Sequence, residues 1–192
     1  SYYRIVLEGR EDSLGKDHLE TLKTVRRLAY LYKANKQSDE AENYFRRQLE
    51  SKARTLGVHD QETLRAMYIL GGVYHEHGKL SKAETVYLDA LLETEKILGK
   101  EHDYTIDLVH NLALLYKKQE DFALSEHYFS RLLEYRLEYL GEEHVKTLAT
   151  LHSMGDLYRD FEKWVEAEQF YMRAFQGRGN ILGRDHIKTF AS

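Results

Sequence analysis

The 192-residue sequence predicts an all-α protein built from repeated pairs of antiparallel helices. Three observations support this prediction. The chain contains no proline, which favours long uninterrupted helices. Leu-Gly pairs recur along the whole chain at a constant interval of 42 residues. Between these pairs, apolar residues recur every three or four positions, which is the spacing of one buried helix face.

The Leu-Gly pairs predict the joints between repeats. Their glycines are Gly15, Gly57, Gly99, Gly141 and Gly183. Three residues after each glycine comes His18, Asp60, His102, His144 or His186, and six residues after it comes Thr21, Thr63, Thr105, Thr147 or Thr189. We expect each glycine to end a helix in the left-handed conformation. The His or Asp stands where the next helix needs an N-cap.

Each repeat contains two predicted helices. Helix A, roughly residues 18–35 in the first repeat, has a buried face that includes a tyrosine column at Tyr32, Tyr74, Tyr116 and Tyr158. Helix B, roughly residues 38–55, combines a small residue with an aromatic residue four positions later. The small residues let two helices approach closely, and the aromatic residues fill the gap to the next pair. Because one pair cannot bury both of its faces, the pairs must stack into a solenoid.

The period sets the expected organisation as one solenoid over residues 1–192. It comprises a partial helix B at 1–15, repeats at 16–57, 58–99, 100–141 and 142–183, and the start of a further helix A at 184–192. We expect Tyr74 and Tyr116 to be buried between repeats. Val6 and Leu7, like Ile187 and Phe190, have no neighbouring repeat to cover them. We therefore expect copies of the chain to associate end to end, or the ends to fray.

Composition excludes several classes of protein. The mean hydropathy of −0.63 and the lack of a long apolar run argue against a membrane span or a membrane partner. A net charge of −4 argues against nucleic-acid binding, which usually needs a basic excess. The absence of cysteine removes disulfides and thiolate zinc sites, and fits a cytoplasmic protein. No nucleotide-binding or catalytic motif is present, so we expect no cofactor, no metal site and no enzymatic activity.

The sequence of each unit resembles a known family. Leu70-Gly71-x-x-Tyr74 followed by Ala83 and Tyr87 resembles the tetratricopeptide repeat. The 42-residue period and the LGxxHxxT joint resemble the longer repeat of kinesin light chains, which also occurs in fungal and bacterial receptor-like NTPases. The resemblance implies a right-handed solenoid whose helices A line a concave, peptide-binding groove. Asn111 matches an asparagine of the kinesin light chain groove.

The groove positions implied by this resemblance are rich in cations. The residues predicted to bind peptide are Lys23, Arg26, Arg27, Tyr30, Arg65, Tyr68, Asn111 and Lys117. A basic column at Lys33, His75, Lys117 and Arg159 is explained equally well by helix C-terminal electrostatics and by ligand contact. The cations at 23, 26, 27 and 65 lie where the helix dipole offers no such explanation. They predict a protein or peptide partner of acidic character, whose carboxylates Arg and Lys would bind.

A second possible function for this sequence belongs to a different class. The array could regulate a larger receptor-like NTPase, as a sensor or a self-association module without a free peptide ligand. A P-loop or coiled-coil domain in the full-length protein would favour that alternative.

Overall fold

The computed structural model describes residues 2–182, and within this range it contains nine α-helices and no β-strand. The helices are α1 (Tyr2–Leu14), α2 (Leu19–Ala34), α3 (Ser38–Leu56), α4 (Gln61–Glu76), α5 (Leu80–Ile97), α6 (Asp103–Lys118), α7 (Phe122–Leu140), α8 (Val145–Asp160) and α9 (Trp164–Leu182). The predicted all-α class is confirmed. The predicted joint at Gly183, the further helix A at 184–192, and Ile187 and Phe190 lie outside the described residues.

The even-numbered helices are helices A and the odd-numbered helices are helices B. In the first repeat the expected ranges of 18–35 and 38–55 correspond to α2 and α3, within one residue at each end. The chain divides between Leu108 and Val109 into two compact units. In the first unit, α1 packs on α2, α2 on α3, α3 on α4 and α4 on α5. In the second unit, α7 packs on α8 and α8 on α9.

The joints have the hydrogen bonds that the phased residues suggest. In the second repeat, the Thr63 hydroxyl donates to the Gly57 carbonyl oxygen at 2.8 Å, and Asp60 accepts from the backbone N–H of Glu62, also at 2.8 Å. Histidine performs the same capping elsewhere, because Nδ1 of His144 accepts from the backbone N–H of Lys146 at 3.1 Å. The predicted N-caps are therefore confirmed.

The joint glycines within residues 2–182 adopt positive φ, but Gly57 and Gly141 do not adopt the left-handed helical conformation that the sequence suggested. Gly57 has φ 94° and ψ 159°, and Gly141 has φ 85° and ψ 167°. These angles belong to an extended region with positive φ that is almost restricted to glycine. The expected left-handed helical ψ is wrong, because the chain must leave the helix in an extended path to reach the next N-cap.

An arginine clamp that the sequence analysis did not indicate crosses two joints. Arg136 Nη1 donates to the Lys146 carbonyl oxygen at 2.9 Å and to the Thr150 hydroxyl at 2.5 Å. Arg10 Nη1 makes the same pair of bonds to the carbonyl oxygen of residue 20 and the hydroxyl of residue 24, at 2.7 and 2.8 Å. The clamp ties the last turns of a helix B to the first two turns of the following helix A. Lys52 stands at the same position of the period.

The burial of Tyr74 and Tyr116 agrees with the expectation, whereas Tyr158 of the same column is only half-buried. The exposed fraction is 6% for Tyr74 and 4% for Tyr116. The Tyr116 ring stacks on Tyr128 with centroids 5.5 Å apart. The expectation that Leu7 is uncovered is wrong, because α1 packs against α2 and Leu7 is only 6% exposed. Tyr2 is instead an exposed apolar side chain of α1.

Two adjacent glycines of α4 are expected to respond differently to alanine. A Cβ at Gly71 would lie 2.5 Å from Cε1 of the buried Tyr87 ring, whereas a Cβ at Gly72 would lie 3.6 Å from the Tyr87 hydroxyl, an ordinary contact. Gly71→Ala should therefore destabilise the fold by about 1–3 kcal/mol through overpacking. Gly72→Ala should leave stability unchanged or raise it by up to about 1 kcal/mol through helix propensity. Urea unfolding of both variants measures this difference, and equal midpoints would contradict the packing described.

Candidate peptide-binding site

The first unit contains a cleft enclosed by α2, α3 and α4. It consists of two adjoining cavities of about 350 and 70 Å³ that share Arg26, Gln48, Lys52 and Glu62. We call the whole the basic cleft. Its lining residues are Asp17, Leu19, Leu22, Lys23, Arg26, Tyr30, Gln48, Lys52, Thr55, Leu56, Glu62, Arg65, Ala66 and Ile69.

Helical spacing brings the cleft side chains to one face. Lys23, Arg26 and Tyr30 follow each other on α2 at intervals of three and four residues, which places them in one stripe. The intervening Val25 is completely buried, so the same amphipathic pattern that anchors α2 in the core turns the cations outward. Arg65 stands on α4 one residue beyond the buried Leu64 and therefore also lies outside the core.

Cations outnumber anions in the lining of the basic cleft. Lys23, Arg26, Lys52 and Arg65 stand against Asp17 and Glu62. Asp17 is already engaged from outside the cleft, because Arg54 Nη2 donates to its carboxylate at 2.8 Å. The cleft therefore has a net positive charge that suits an anionic group.

The cations of the cleft stabilise the ionised form of Glu62. Lys52 Nζ donates to its carboxylate at 2.6 Å, and this hydrogen bond lowers the pKa of Glu62 below its usual range. Partial burial opposes that effect, while the charges of Arg65 and Arg26 reinforce it. Arg65 Nη1 lies 3.8 Å from a Glu62 oxygen, too far for a hydrogen bond. Arg65 can therefore exchange this loose ion pair for a ligand.

Two predicted arginines are available for a ligand. Arg26 and Arg27 are exposed, and neither makes a hydrogen bond or ion pair with any of residues 2–182. Arg26 lines the cleft, whereas Arg27 projects from α2 outside the lining. Lys23 differs from both, because its ammonium donates to Glu20 at 2.6 Å.

The remaining predicted residues are distributed over both units. In the first unit, Tyr30 is 46% exposed and its ring meets Phe45 edge-on at 5.2 Å, while Tyr68 is half-buried on α4. In the second unit, Asn111 is half-buried on α6, and Lys117 Nζ lies 2.9 Å from an Asp160 carboxylate oxygen. The structure thus brings Lys23, Arg26, Tyr30 and Arg65 to one cleft. Lys117 lies in the other unit and is paired with Asp160.

Lys52 is the cleft cation that the sequence analysis did not identify. It comes from helix B, whereas the resemblance directed attention to helices A. Its ammonium also donates to the Glu62 carbonyl oxygen at 3.3 Å, the bond equivalent to those that Arg10 and Arg136 make to a carbonyl oxygen at their own joints. The recurrence of cations at positions 10, 52 and 136 was the available signal, since these positions differ by whole periods.

Two side chains of the basic column at the helix A C-termini join one helix A to the next. Lys33 Nζ lies 2.9 Å from a Glu76 oxygen, and Lys117 makes the equivalent bond to Asp160 at the same distance. Arg159 binds Asp160 at 2.9 Å and Asp156 at 3.0 Å. These charges neutralise one another, which leaves the second unit without the excess of positive charge found in the basic cleft.

Two histidines of the second unit are held in their neutral form. Burial lowers the pKa of His110, and the charge of Arg136 adds to this effect. Burial also lowers the pKa of His152, although Asp156 opposes it. Among the residues that the structure describes, no three His, Asp or Glu side chains are grouped so that they could hold a metal ion.

Comparison with known proteins identifies the repeat. The family model described as Tetratricopeptide repeat matches residues 20–92 and 104–180. The chain belongs to the tetratricopeptide repeat family. Tetratricopeptide repeats are protein-interaction scaffolds, and the array described above is of that kind. A search of curated protein sequences gives no match.

Solved structures with the same fold include other tetratricopeptide arrays. Nearly identical TPR-like repeats of kinesin light chain type from Podosopora anserina superpose with a TM-score of 0.82 at 20% identity, over 94% of this chain and 85% of that one. BtubC (BKLC) from P. vanneervenii gives 0.75 at 22%, over 99% and 75%. The apo form of RapI gives 0.73 at 16%, over 93% and 62%. At these identities the likeness establishes the fold.

None of the tetratricopeptide helices within residues 2–182 combines the length and the apolar character needed to cross a bilayer.

Proposed function

We propose that this array binds an acidic segment of a partner protein in the basic cleft. The observation that supports the proposal is the excess of cations over anions in the lining of the cleft. Two of these cations, Arg26 and Arg65, face the same space. An arginine can donate two parallel hydrogen bonds to a carboxylate, which makes it the preferred residue for binding Asp and Glu side chains. Because these groups lie in a concave surface, part of the interaction is shielded from solvent.

The shape and the apolar walls of the cleft favour a peptide over a small anion. Leu19, Leu22 and Leu56 contribute an apolar wall beside the cations. A volume of about 350 Å³ accommodates side chains of a peptide but exceeds what a free carboxylate or phosphate would fill. The ligand that fits combines carboxylates with a neighbouring apolar side chain.

The proposed contacts concentrate in the first unit. Lys23, Arg26, Arg27 and Arg65 bind carboxylates, while Tyr30 and Tyr68 provide apolar contact and polar edges. Asn111 and Lys117 remain predicted contacts, and Lys117 would have to leave Asp160 to bind a ligand. A cytoplasmic location belongs to the same proposal, in keeping with a chain that lacks cysteine.

Selection from a phage-displayed library of random peptides tests this function on the 192-residue chain. We expect the recovered peptides to be enriched in Asp and Glu and to bind more weakly as salt is raised, because exposed charges are screened beyond about 8–10 Å. Titration of a recovered peptide at low and high ionic strength, followed by calorimetry, measures this effect. Recovery of neutral or basic peptides only, with salt-independent affinity, would contradict the proposal.

The alternative of a regulatory or self-association module is favoured by a different surface. One face of α9 exposes apolar side chains around a cavity of about 400 Å³, with Trp164 62% and Phe175 38% exposed. If no acidic peptide is recovered and the chain forms oligomers whose size depends on concentration in sedimentation velocity, this alternative replaces peptide binding.

A further inference from the structure

Two positions of the 42-residue period form a pair in every repeat. One is the helix A position that Tyr30 occupies in the first repeat, and the other is the helix B position of Phe45, which is always aromatic. The pairs are Tyr30 with Phe45, Gly72 with Tyr87, Leu114 with Phe129, and Asp156 with Tyr171. The first member belongs to the groove positions implied by the family resemblance. The second member is a large aromatic residue, which is buried in the first three repeats and half-buried at Tyr171.

The first and fourth repeats show how such a pair is satisfied. Tyr30 covers Phe45 with an edge-on ring contact at 5.2 Å between centroids, and Phe45 has no polar group. In the fourth repeat the aromatic residue is a tyrosine, and the Tyr171 hydroxyl donates to the Asp156 carboxylate at 2.7 Å. The residue at this position thus supplies bulk above a phenylalanine and an acceptor above a tyrosine.

In the second repeat, the residue at this position supplies neither bulk nor a hydrogen-bond acceptor. Tyr87 contains a hydroxyl, but the residue above it is Gly72, which has no side chain. A Cβ built at Gly72 would lie 3.6 Å from the Tyr87 hydroxyl oxygen, so the hydroxyl lies directly below the missing side chain. The Tyr87 side chain is 1% exposed, and no hydrogen bond joins its hydroxyl to any of residues 2–182. The hydroxyl is therefore a donor that residues 2–182 leave without an acceptor, next to the space where Gly72 lacks a side chain.

The notch left by Gly72 opens on the binding face of α4. Gly72 stands one turn after Tyr68 and one turn before Glu76, and two turns after Arg65 of the basic cleft. Residues four positions apart share a helix face, so Tyr68 and Glu76 flank Gly72 along α4. Burial raises the pKa of Tyr87 far above its usual value, so the hydroxyl keeps its proton and can donate it.

We propose that the Gly72 notch is a subsite in which the Tyr87 hydroxyl donates a hydrogen bond to a main-chain carbonyl oxygen of the bound acidic peptide. This inference rests on the proposed function of the basic cleft. A neutral acceptor suits the notch better than a carboxylate, because the negative charge of Glu76 is nearby. A glycine at this point lets the backbone of a ligand approach the helix closely.

Tyr87→Phe removes the donor while keeping the ring that fills the core. We expect this variant to bind a peptide recovered by the phage selection about three- to tenfold more weakly, the effect of losing one neutral hydrogen bond. Its stability should not fall, because the hydroxyl has no partner in the free protein. The matched control is Tyr171→Phe, which makes the same chemical change where the hydroxyl is bonded to Asp156. This control should bind the peptide as the unmodified chain does.

Gly72→Asn tests the notch itself. Its amide oxygen would stand above Tyr87 as Asp156 stands above Tyr171, and it would both accept the hydroxyl proton and fill the space. We expect a loss of affinity at least as large as that of Tyr87→Phe, with helix content unchanged by circular dichroism.

The acceptor on the peptide can be located by replacing its main-chain amides one at a time with esters, whose carbonyl oxygens are weaker acceptors. One ester should weaken binding to the unmodified chain and have no further effect on Tyr87→Phe, which is the coupling expected of two directly bonded groups. If Tyr87→Phe binds with unchanged affinity while the double variant Arg26→Glu, Arg65→Glu does not bind, the subsite is wrong and the proposed function stands. If neither variant changes the affinity, or no peptide is recovered, both are wrong.

Discussion

Charge reversal at Arg26 and Arg65 is expected to abolish binding of the recovered acidic peptide, with a loss of at least about a hundredfold. Each charge-assisted hydrogen bond contributes roughly 1.5–3 kcal/mol when shielded, and two of them are replaced by repulsion. Both side chains line the same cleft. Arg27 is also predicted to bind the peptide, but it lies outside the lining, so Arg27→Glu should have a smaller effect than Arg26→Glu. Calorimetric titration gives the affinities.

The control for this experiment has the same change in net charge at two residues that do not line the cleft. Arg46 and Arg173 are exposed cations of helices B that pair with Glu50 and Glu142. The double variant Arg46→Glu, Arg173→Glu should keep nearly all of the affinity. If both double variants lose affinity equally, the attraction comes from the net charge of the chain and the cleft is not the site.

Truncation of the buried tyrosines should produce the largest loss of stability. Tyr74→Ala and Tyr116→Ala are each expected to lower the free energy of unfolding by about 3–5 kcal/mol, since each removes a large aromatic ring from the core and leaves a cavity. Tyr74 also has the Lys82 ammonium 5.3 Å from its ring centroid. Tyr139→Ala, at a ring that is 48% exposed, should change stability by less than about 1 kcal/mol. Urea unfolding compares the three, and similar midpoints would show that the tyrosine column does not form the core.

The helices could be predicted from the sequence because their boundaries are local. A glycine that needs positive φ, a capping residue and a threonine recur in phase, and each acts through bonds to groups within six residues, as in the bond from Thr63 to Gly57. The ψ angle of Gly57 could not be predicted in the same way. It depends on the path to the next helix, and glycine tolerates both conformations.

The cleft could be predicted only in part, because long cationic side chains choose among several partners. The sequence indicated Lys23, Arg26 and Arg65 by their face of the helix, but not that Lys23 is bonded to Glu20. The ion pairs Lys33–Glu76 and Lys117–Asp160 share one sequence separation, so aligned repeats could have suggested them. Alignment of the repeats also shows that Gly72 faces a tyrosine. Whether that hydroxyl finds a partner depends on three-dimensional packing.

Titration of the ¹⁵N-labelled 192-residue chain with a recovered acidic peptide, followed by NMR, tests the central claim most directly. Assigned backbone amides and arginine side-chain N–H groups report which residues the peptide contacts. We predict that the largest shift changes fall on α2, on the end of α3 around Lys52 and on α4, with the Nε–H signals of Arg26 and Arg65 among them. Shift changes confined to the outer faces of helices B or to residues 109–182, with Arg26 and Arg65 unaffected, would contradict the assignment of the basic cleft as the binding site.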